Sequence, residues 1–388
     1  FFRFEGSVAD LRARRAGRLE LYNPLAVQSV DIGSRVVPLE TDLTTPLAYF
    51  LSRTDLEGIE LTGLLQADKI QDRTGIYTFE PYQPGKIPVL MVHGFWASPL
   101  TWTAMFNDLR ADPYLRQHFQ FWFYLYPTGN PCLQSAADLR TALRQLREEI
   151  DPQHRDAALD QLVIVAHSMG GLVSKLLVED SRDDFWRLVS QQPFDTLKLR
   201  PQTRAELQRL FFFRREPSIR RLVFIATPHH GSKLAPSPAG QLVAQFIRMP
   251  QALAQAMRDV AQEDPQALPG LRDGAIASSL DMLAPGAPAL ELLAARPKPP
   301  DVHFHSIIGI VDGSGANAGD GVVTYASAHL NGVESEITIP ASHSTIHQHP
   351  RAVIEVRRIL LEHLRAVYES RTADLPAVTP INTSLAAN

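Results

Sequence analysis

The sequence predicts an α/β fold, with a mostly parallel central sheet covered by helices on both faces. Three observations carry that expectation. Short apolar runs without polar alternation recur along the chain, as strands buried on both faces require. Segments with apolar residues at steps of three and four separate them. The intervals between runs are long enough for the crossover helices that parallel pairing needs.

Taken in order, residues 1–58 open with the basic, helical-looking "LRARRAGRLE" and continue irregularly through "YNPLAVQSVDIGSRVVPLETDLTTP". They read as an arm lying on the main domain. "GIELTGLLQ" and "TGIYTFEPY" read as two short strands, rich in Ile, Tyr, Thr and Phe. "IPVLMVHG" (87–94) is a continuous apolar strand, and Ser98 or Thr101 would cap the following helix with Met105, Phe106 and Leu109. "FQFWFYLYP" (119–127) is the next strand, followed by a helix with Leu139, Ala142, Leu143, Leu146 and Ile150 on one face. "QLVIVAHS", "IRRLVFIATP", "VHFHSIIGIV" and "SEITIPA" are further strands. The last helix buries Val353, Val356, Ile359, Leu360 and Leu364.

Two insertions break the rhythm, at about 181–218 and 232–300. The second carries Leu242, Phe246, Met249, Leu253, Met257 and Val260 at steps of three or four, a helical apolar stripe that Pro250 should kink. Both are expected to form cap or lid segments, the alternative for the stripe being core packing under a loop. The main domain then spans residues 59–370, and 371–388 form a tail without periodicity.

With 388 residues, 45% of them hydrophobic, the chain is long enough for one large domain with insertions. A net charge of −4, from 38 basic and 42 acidic side chains, does not suggest a nucleic-acid binder, which would normally show a basic face. Cys132 is the single cysteine, so no intrachain disulfide forms. No run approaches the roughly 18 apolar residues of a spanning helix. The first residues are "FFRFEG" rather than Met, which suggests a removed signal or lipid-anchor segment. A trimmed cytosolic chain would read the same way, so the compartment stays open.

The chemistry starts at "AHSMGG" (166–171), where an apolar strand turns into a helix around Ser168. A serine hydroxyl is a poor nucleophile unless a base takes its proton and donors hold the resulting oxyanion. A sharp strand-to-helix turn exposes the side chain and sets the next amide, that of Met169, at a helix N-terminus. The turn is crowded, and Ala166, Gly170 and Gly171 are small; Ala166 stands where the G-x-S-x-G pattern has glycine. The bland alternative is a serine that merely N-caps a helix.

A second donor is expected from "VHGFWAS", through the amide of Phe95, with Gly94 allowing close approach and His93 ordering the loop. The acid and base should follow in that order. Asp320 in "GDGVV" is favoured over Asp312, which sits among glycines like a turn residue. His343 follows a strand end directly and is favoured over His347; His349, before Pro350, belongs to the start of the last helix. A neutral His343 base implies activity falling as pH drops through about 6–7. The three histidines also fit a metal set, but no Cys or carboxylate accompanies them, and the reading requires no metal or organic cofactor. The loop 312–320 is oxygen-rich without the spacing of a Ca²⁺ hand. His229 and His230 in "ATPHHGS" read as structural, at the pocket wall.

These motifs, in this order over roughly 59–370, resemble the α/β-hydrolase superfamily. They look in particular like its bacterial lipase and carboxylesterase branch related to GPI inositol-deacylases. The resemblance implies a serine esterase with Ser168 as nucleophile, His343 as base, Asp320 as its orienter, and Phe95 and Met169 as oxyanion-hole donors. It also implies a lid over an apolar acyl pocket, with Trp96, Leu242, Phe246 and Met249 as pocket residues. The substrate would be a small-molecule or polymeric ester, some relatives cleaving polyesters, and the lid would touch lipid or polymer surfaces. The oligomeric state stays open. An acyltransferase with the same three residues, and a silent binding protein on the same fold, are the alternatives.

Overall fold

The computed structural model describes residues 2–373, apart from 5, 15–16, 24, 26, 54–58, 234, 236, 238–246, 248–250, 264–268 and 270–278. Its centre is a seven-stranded sheet. The strands are β1 (Gly75–Thr78), β2 (Ile87–Val92), β3 (Phe119–Leu125), β4 (Leu162–His167), β5 (Ile219–Ile225), β6 (His303–Gly309) and β7 (Ser335–Ile339). The order across the sheet is β7-β6-β5-β4-β2-β3-β1. Every pairing is parallel except β1 with β3.

The continuous apolar runs now have a physical account. Leu90, Val92, Trp122, Tyr124, Ile164, Ala166, Leu222 and Phe224 enter one core, beneath α2 (Cys132–Ile150) and α3 (Met169–Leu177). Their chain neighbours Val89, Met91, Phe121, Phe123, Val163, Val165, Val223 and Ile225 enter the other. That second core lies under α1 (Thr103–Ala111) and the C-terminal helix Pro350–Ala373, which supplies Val356, Ile359, Leu360 and Leu364. Alternate residues leave opposite faces of a strand, so a sheet covered twice needs apolar residues at every position. Cys132 is fully buried at the start of α2, and burial pushes its thiol pKa up to about 12.

The winding reverses at β2. The chain goes from β2 outward to β3, then returns to place β4 on the other side of β2. Connections that leave β2 and β4 toward opposite faces open a crevice at the carboxyl ends of those strands, the usual ligand position in such sheets.

Four expectations need correction. Residues Ile59–Leu65, read as a strand, form a helix; a short apolar run does not distinguish the two by period. The stretch read as irregular contains a hairpin, Ser29–Ile32 with Arg35–Pro38, turning at Gly33 with φ +61°. The last helix runs to Ala373, taking in the first three residues of the expected tail, and 374–388 lie outside the described residues. Neither Ser98 nor Thr101 caps α1, whose N-cap is Trp102 without a side-chain bond; Ser98 instead caps the preceding 3-10 turn Pro99–Trp102, its Oγ accepting from Leu100 N at 3.3 Å.

The described part of the second insertion's stripe is packed. Gln251–Glu263 forms a helix beginning just after Pro250, which itself lies outside the described residues. Leu253 and Val260 are buried in the first core and Met257 packs against it. Thr203 Oγ1, on the helix Pro201–Phe211 of the first insertion, donates to Asp259 Oδ2 at 2.7 Å, tying the two insertions together.

Candidate active site

Ser168 follows β4 and precedes α3, with φ +53° and ψ −125°. That is a region L-residues rarely adopt, costing of order 1–3 kcal/mol, held because the surroundings fix it. Its amide donates to Ile225 O of β5 at 2.8 Å. Its side chain makes no capping bond to the helix, so the bland N-cap role is not the one it plays.

The small residues around it are sterically required. A Cβ on Gly170 would lie 2.4 Å from His93 O and 2.6 Å from Val92 O. One on Gly171 would lie 2.0 Å from Thr227 Oγ1. Helix α3 is thus wedged between the ends of β2 and β5. Gly170→Ala meets backbone, which can yield only by moving the helix, and should destabilise by about 3 kcal/mol. A denaturant midpoint unchanged from wild type would contradict this.

Four polar groups of residue 343 are held by three residues. Its Nδ1 lies 2.7 Å from Asp320 Oδ2, and its Nε2 lies 2.9 Å from Ser168 Oγ. Its amide donates to Asp320 O at 3.0 Å, and its carbonyl lies 2.9 Å from His167 Nε2. A carboxylate only accepts, so Nδ1 carries a proton, and in the neutral form of the ring Nε2 is then the acceptor that faces the Ser168 hydroxyl. Asp320 is buried, and its other oxygen accepts from Val322 N at 2.9 Å and Val323 N at 2.7 Å. The geometry therefore brings together Ser168, His343 and Asp320. It leaves Asp312 exposed, paired through its backbone with Gly319.

The rival histidines turn elsewhere. His347 is buried against Trp102 and His167, and burial pushes its pKa down to about 4. His349 Nδ1 accepts from Arg351 N at 3.1 Å, at the mouth of the last helix. His93 is fully buried, stacks on Tyr126 at 4.4 Å, and places Nδ1 3.1 Å from Gly94 O. Burial lowers its pKa to about 4, while Tyr126 OH donates to its carbonyl at 2.7 Å. His229 is buried edge-on to Phe224, and His230 is exposed with its amide toward Ser327.

A different acidic group draws metal-like attention: ligand atoms of His305, Glu334 and Glu362 lie within 4.8 Å of one another. Arg221 already occupies that position. Its Nη1 lies 2.5 Å from His305 Nε2 and 2.9 Å from Glu362 Oε1. His305 must accept there, leaving Nδ1–H for Ser335 Oγ at 2.7 Å.

The donor loop runs beside the serine. A Cβ on Gly94 would lie 2.9 Å from Ser168 Cβ, so Phe95 follows directly at that contact. Trp96 has φ +51°, is 53% exposed, and its amide donates to Thr128 Oγ1 at 3.3 Å. Met169 opens α3, so its amide has no intrahelical acceptor. Leu242, Phe246 and Met249 lie outside the described residues. An apolar cavity of about 400 Å³ lies between β1, β3 and the turn after the donor loop, walled by Ile59, Tyr77, Phe79, Leu100 and Leu125. His167, Tyr126 and Thr128 are the site-shaping residues that sequence reasoning missed. Only the position of His167 beside the serine was a signal.

A doubly wound sheet with its serine at the switch point defines an α/β-hydrolase fold. The chain belongs to the alpha/beta hydrolase family, whose profile matches residues 89–356. No curated protein matches it. Among solved structures it is similar to the mature lipase BlEst2 of Bacillus licheniformis, with 16% identity, TM-score 0.45, and 74% of this chain and 97% of that one covered. Phospholipase PlaB of Legionella pneumophila gives 17% identity and TM-score 0.44, covering 71% of this chain and 59% of that one. EstA of Clostridium botulinum gives 12% and 0.40, covering 75% and 93%.

Proposed function

We propose that the protein is a serine carboxylic-ester hydrolase that works through an acyl-enzyme. The observation that carries this reading is the unbroken hydrogen-bond chain Asp320–His343–Ser168, at 2.7 and 2.9 Å, on a strained turn. Membership of the hydrolase family supports it at a coarser level.

In this mechanism His343 Nε2 takes the Ser168 proton as Oγ attacks the ester carbonyl. Asp320 holds the ring in the Nδ1–H tautomer and stabilises the imidazolium. The amides of Phe95 and Met169 hold the oxyanion, each such donor being worth about 10²–10³ in turnover. His343 then protonates the leaving alcohol, and water repeats the sequence to release the acid.

The acyl side is assigned to apolar chains, in keeping with the resemblance to lipases of the GPI inositol-deacylase-like branch. Polyesters extend the same class. Trp96, exposed beside the donor loop, is read as an apolar contact for the substrate. Residues 59–370 form the catalytic unit in this reading, with 1–58 as an arm. Asn107 Nδ2 donates to Thr44 Oγ1 and Arg116 Nε to Leu25 O, which supports the arm's docking. The two insertions, joined at Asp259, act as the cap.

The test is a panel of p-nitrophenyl esters of graded acyl length, an emulsified triglyceride and a solid polyester, alongside a fluorophosphonate probe. The expected outcome is labelling at Ser168 and turnover that rises with acyl length. An unlabelled serine would overturn the reading. In parallel, Asp320→Asn should lower kcat about 10⁴-fold through the wrong tautomer, while Asp312→Asn stays near wild type. The reverse pattern would move the acid to Asp312.

A further inference from the structure

We infer that His167 is a positioning residue, which locks the backbone of residue 343 to the strand that carries Ser168. The inference rests on the esterase reading above and deepens it.

The side chains of Ser168 and His343 sit on elements 175 residues apart in sequence. Their own contact is the bond that must break and re-form in each turnover, so it is a poor anchor. His167 supplies a separate one. Its Nε2 lies 2.9 Å from His343 O, and a carbonyl only accepts, so Nε2 carries the proton. The His167 ring packs at 4.9 Å on the His343 ring and at 5.0 Å on His347. It is buried beside Gly94, whose missing side chain leaves it room: a Cβ there would be 3.0 Å from His167 Nδ1.

This brackets the base. Asp320 holds the amide of residue 343 from one side, and His167 holds its carbonyl from the other. With both in place, rotation about the backbone at 343 is blocked, and Nε2 stays aimed at Ser168 Oγ. Burial also keeps His167 far below an ordinary imidazole pKa, with the neighbouring His343 and His347 adding to the shift. The ring therefore remains neutral and does not oppose the imidazolium that forms on His343. Proton transfer depends steeply on geometry, and a displacement near 1 Å can cost about 10²-fold.

The test compares His167→Leu, which removes the donor, with His167→Gln, whose amide N–H can replace it. Expected is a kcat lowered about 10- to 100-fold in the Leu variant with KM little changed, and substantial recovery in the Gln variant. A second readout is independent of activity: the low-field proton resonance of His343 Nδ1–H, held by Asp320, should broaden or vanish in His167→Leu and return in His167→Gln. If the wild type is labelled by fluorophosphonate and the Leu variant reacts equally fast with an unchanged resonance, the positioning role is wrong. If both variants lose the same activity while equally folded, the hydrogen bond is not the cause and the inference also falls. If the wild type itself is unlabelled, the esterase reading fails, and the resonance alone decides the role of His167.

Discussion

Ser168→Ala should lower ester turnover by about 10⁶-fold while the fold persists. The loss is large because the general base and the oxyanion donors lose the group they act on together. The fold should persist because Ser168 Oγ, among the described residues, bonds only His343 and makes no helix cap. Initial rates on a short p-nitrophenyl ester, set beside thermal melting, check both halves. Retention of more than about 1% of turnover would move the nucleophile elsewhere. A companion variant separates chemistry from strain. Ser168→Gly should be equally inactive yet melt above Ser168→Ala, because φ +53° is strained for alanine and free for glycine. Equal melting of the two would mean that the turn stores little.

Acid should unfold this protein unusually early. Burial pushes the pKa of His93, His347 and His363 down to about 4 and that of His305 to about 3. His167 and His229 are also held well below the ordinary value, burial again the first cause. The unfolded chain binds protons at about 6.5 and the folded one does not, so stability is complete above about 6.5 and is lost as pH falls toward 4. Each group near 4 corresponds to about 3 kcal/mol over that window, and several together rival the whole stability of a typical domain. Glu179 runs the other way. Burial raises its pKa to about 7, so its contribution is present at low pH and lost as pH rises through 7. Urea midpoints should therefore fall steeply from pH 6.5 to 5; a flat profile down to 4.5 would sink the argument. A pH jump back to 7.5 separates this from protonation of the base, since titration reverses at once and refolding does not.

The strand positions were legible because a sheet covered on both faces leaves an uninterrupted apolar run, as in Ile87–Val92 and Leu162–Ala166. Ser168 and His343, two of the three residues proposed for catalysis, stood out in the sequence because each follows closely on a strand end, where a crevice collects side chains; Asp320 lies well past Gly309, beyond the Asp312–Gly319 bridge, and only its order in the chain suggested it. What escaped was set by contacts remote in sequence. Ile59–Leu65 is helical in a place where Glu60 accepts from Ser98 Oγ, 38 residues away. The contact between His167 and the carbonyl of residue 343 involves no side chain at its acceptor end, so no residue type announces it. The fit of Gly171 against Thr227 likewise depends on two elements whose spacing only the packed sheet defines.

Cys132 gives the molecule a built-in gauge. Thiol reagents attack the thiolate, and this thiol is both fully buried and shifted to about 12. In the native state it is silent, and once α2 leaves the sheet it becomes an ordinary reactive cysteine. With no second cysteine in the chain to confuse the signal, a timed pulse of alkylating reagent at neutral or mildly alkaline pH, where an opened thiol ionises, counts the molecules that have opened, without a label having to be introduced.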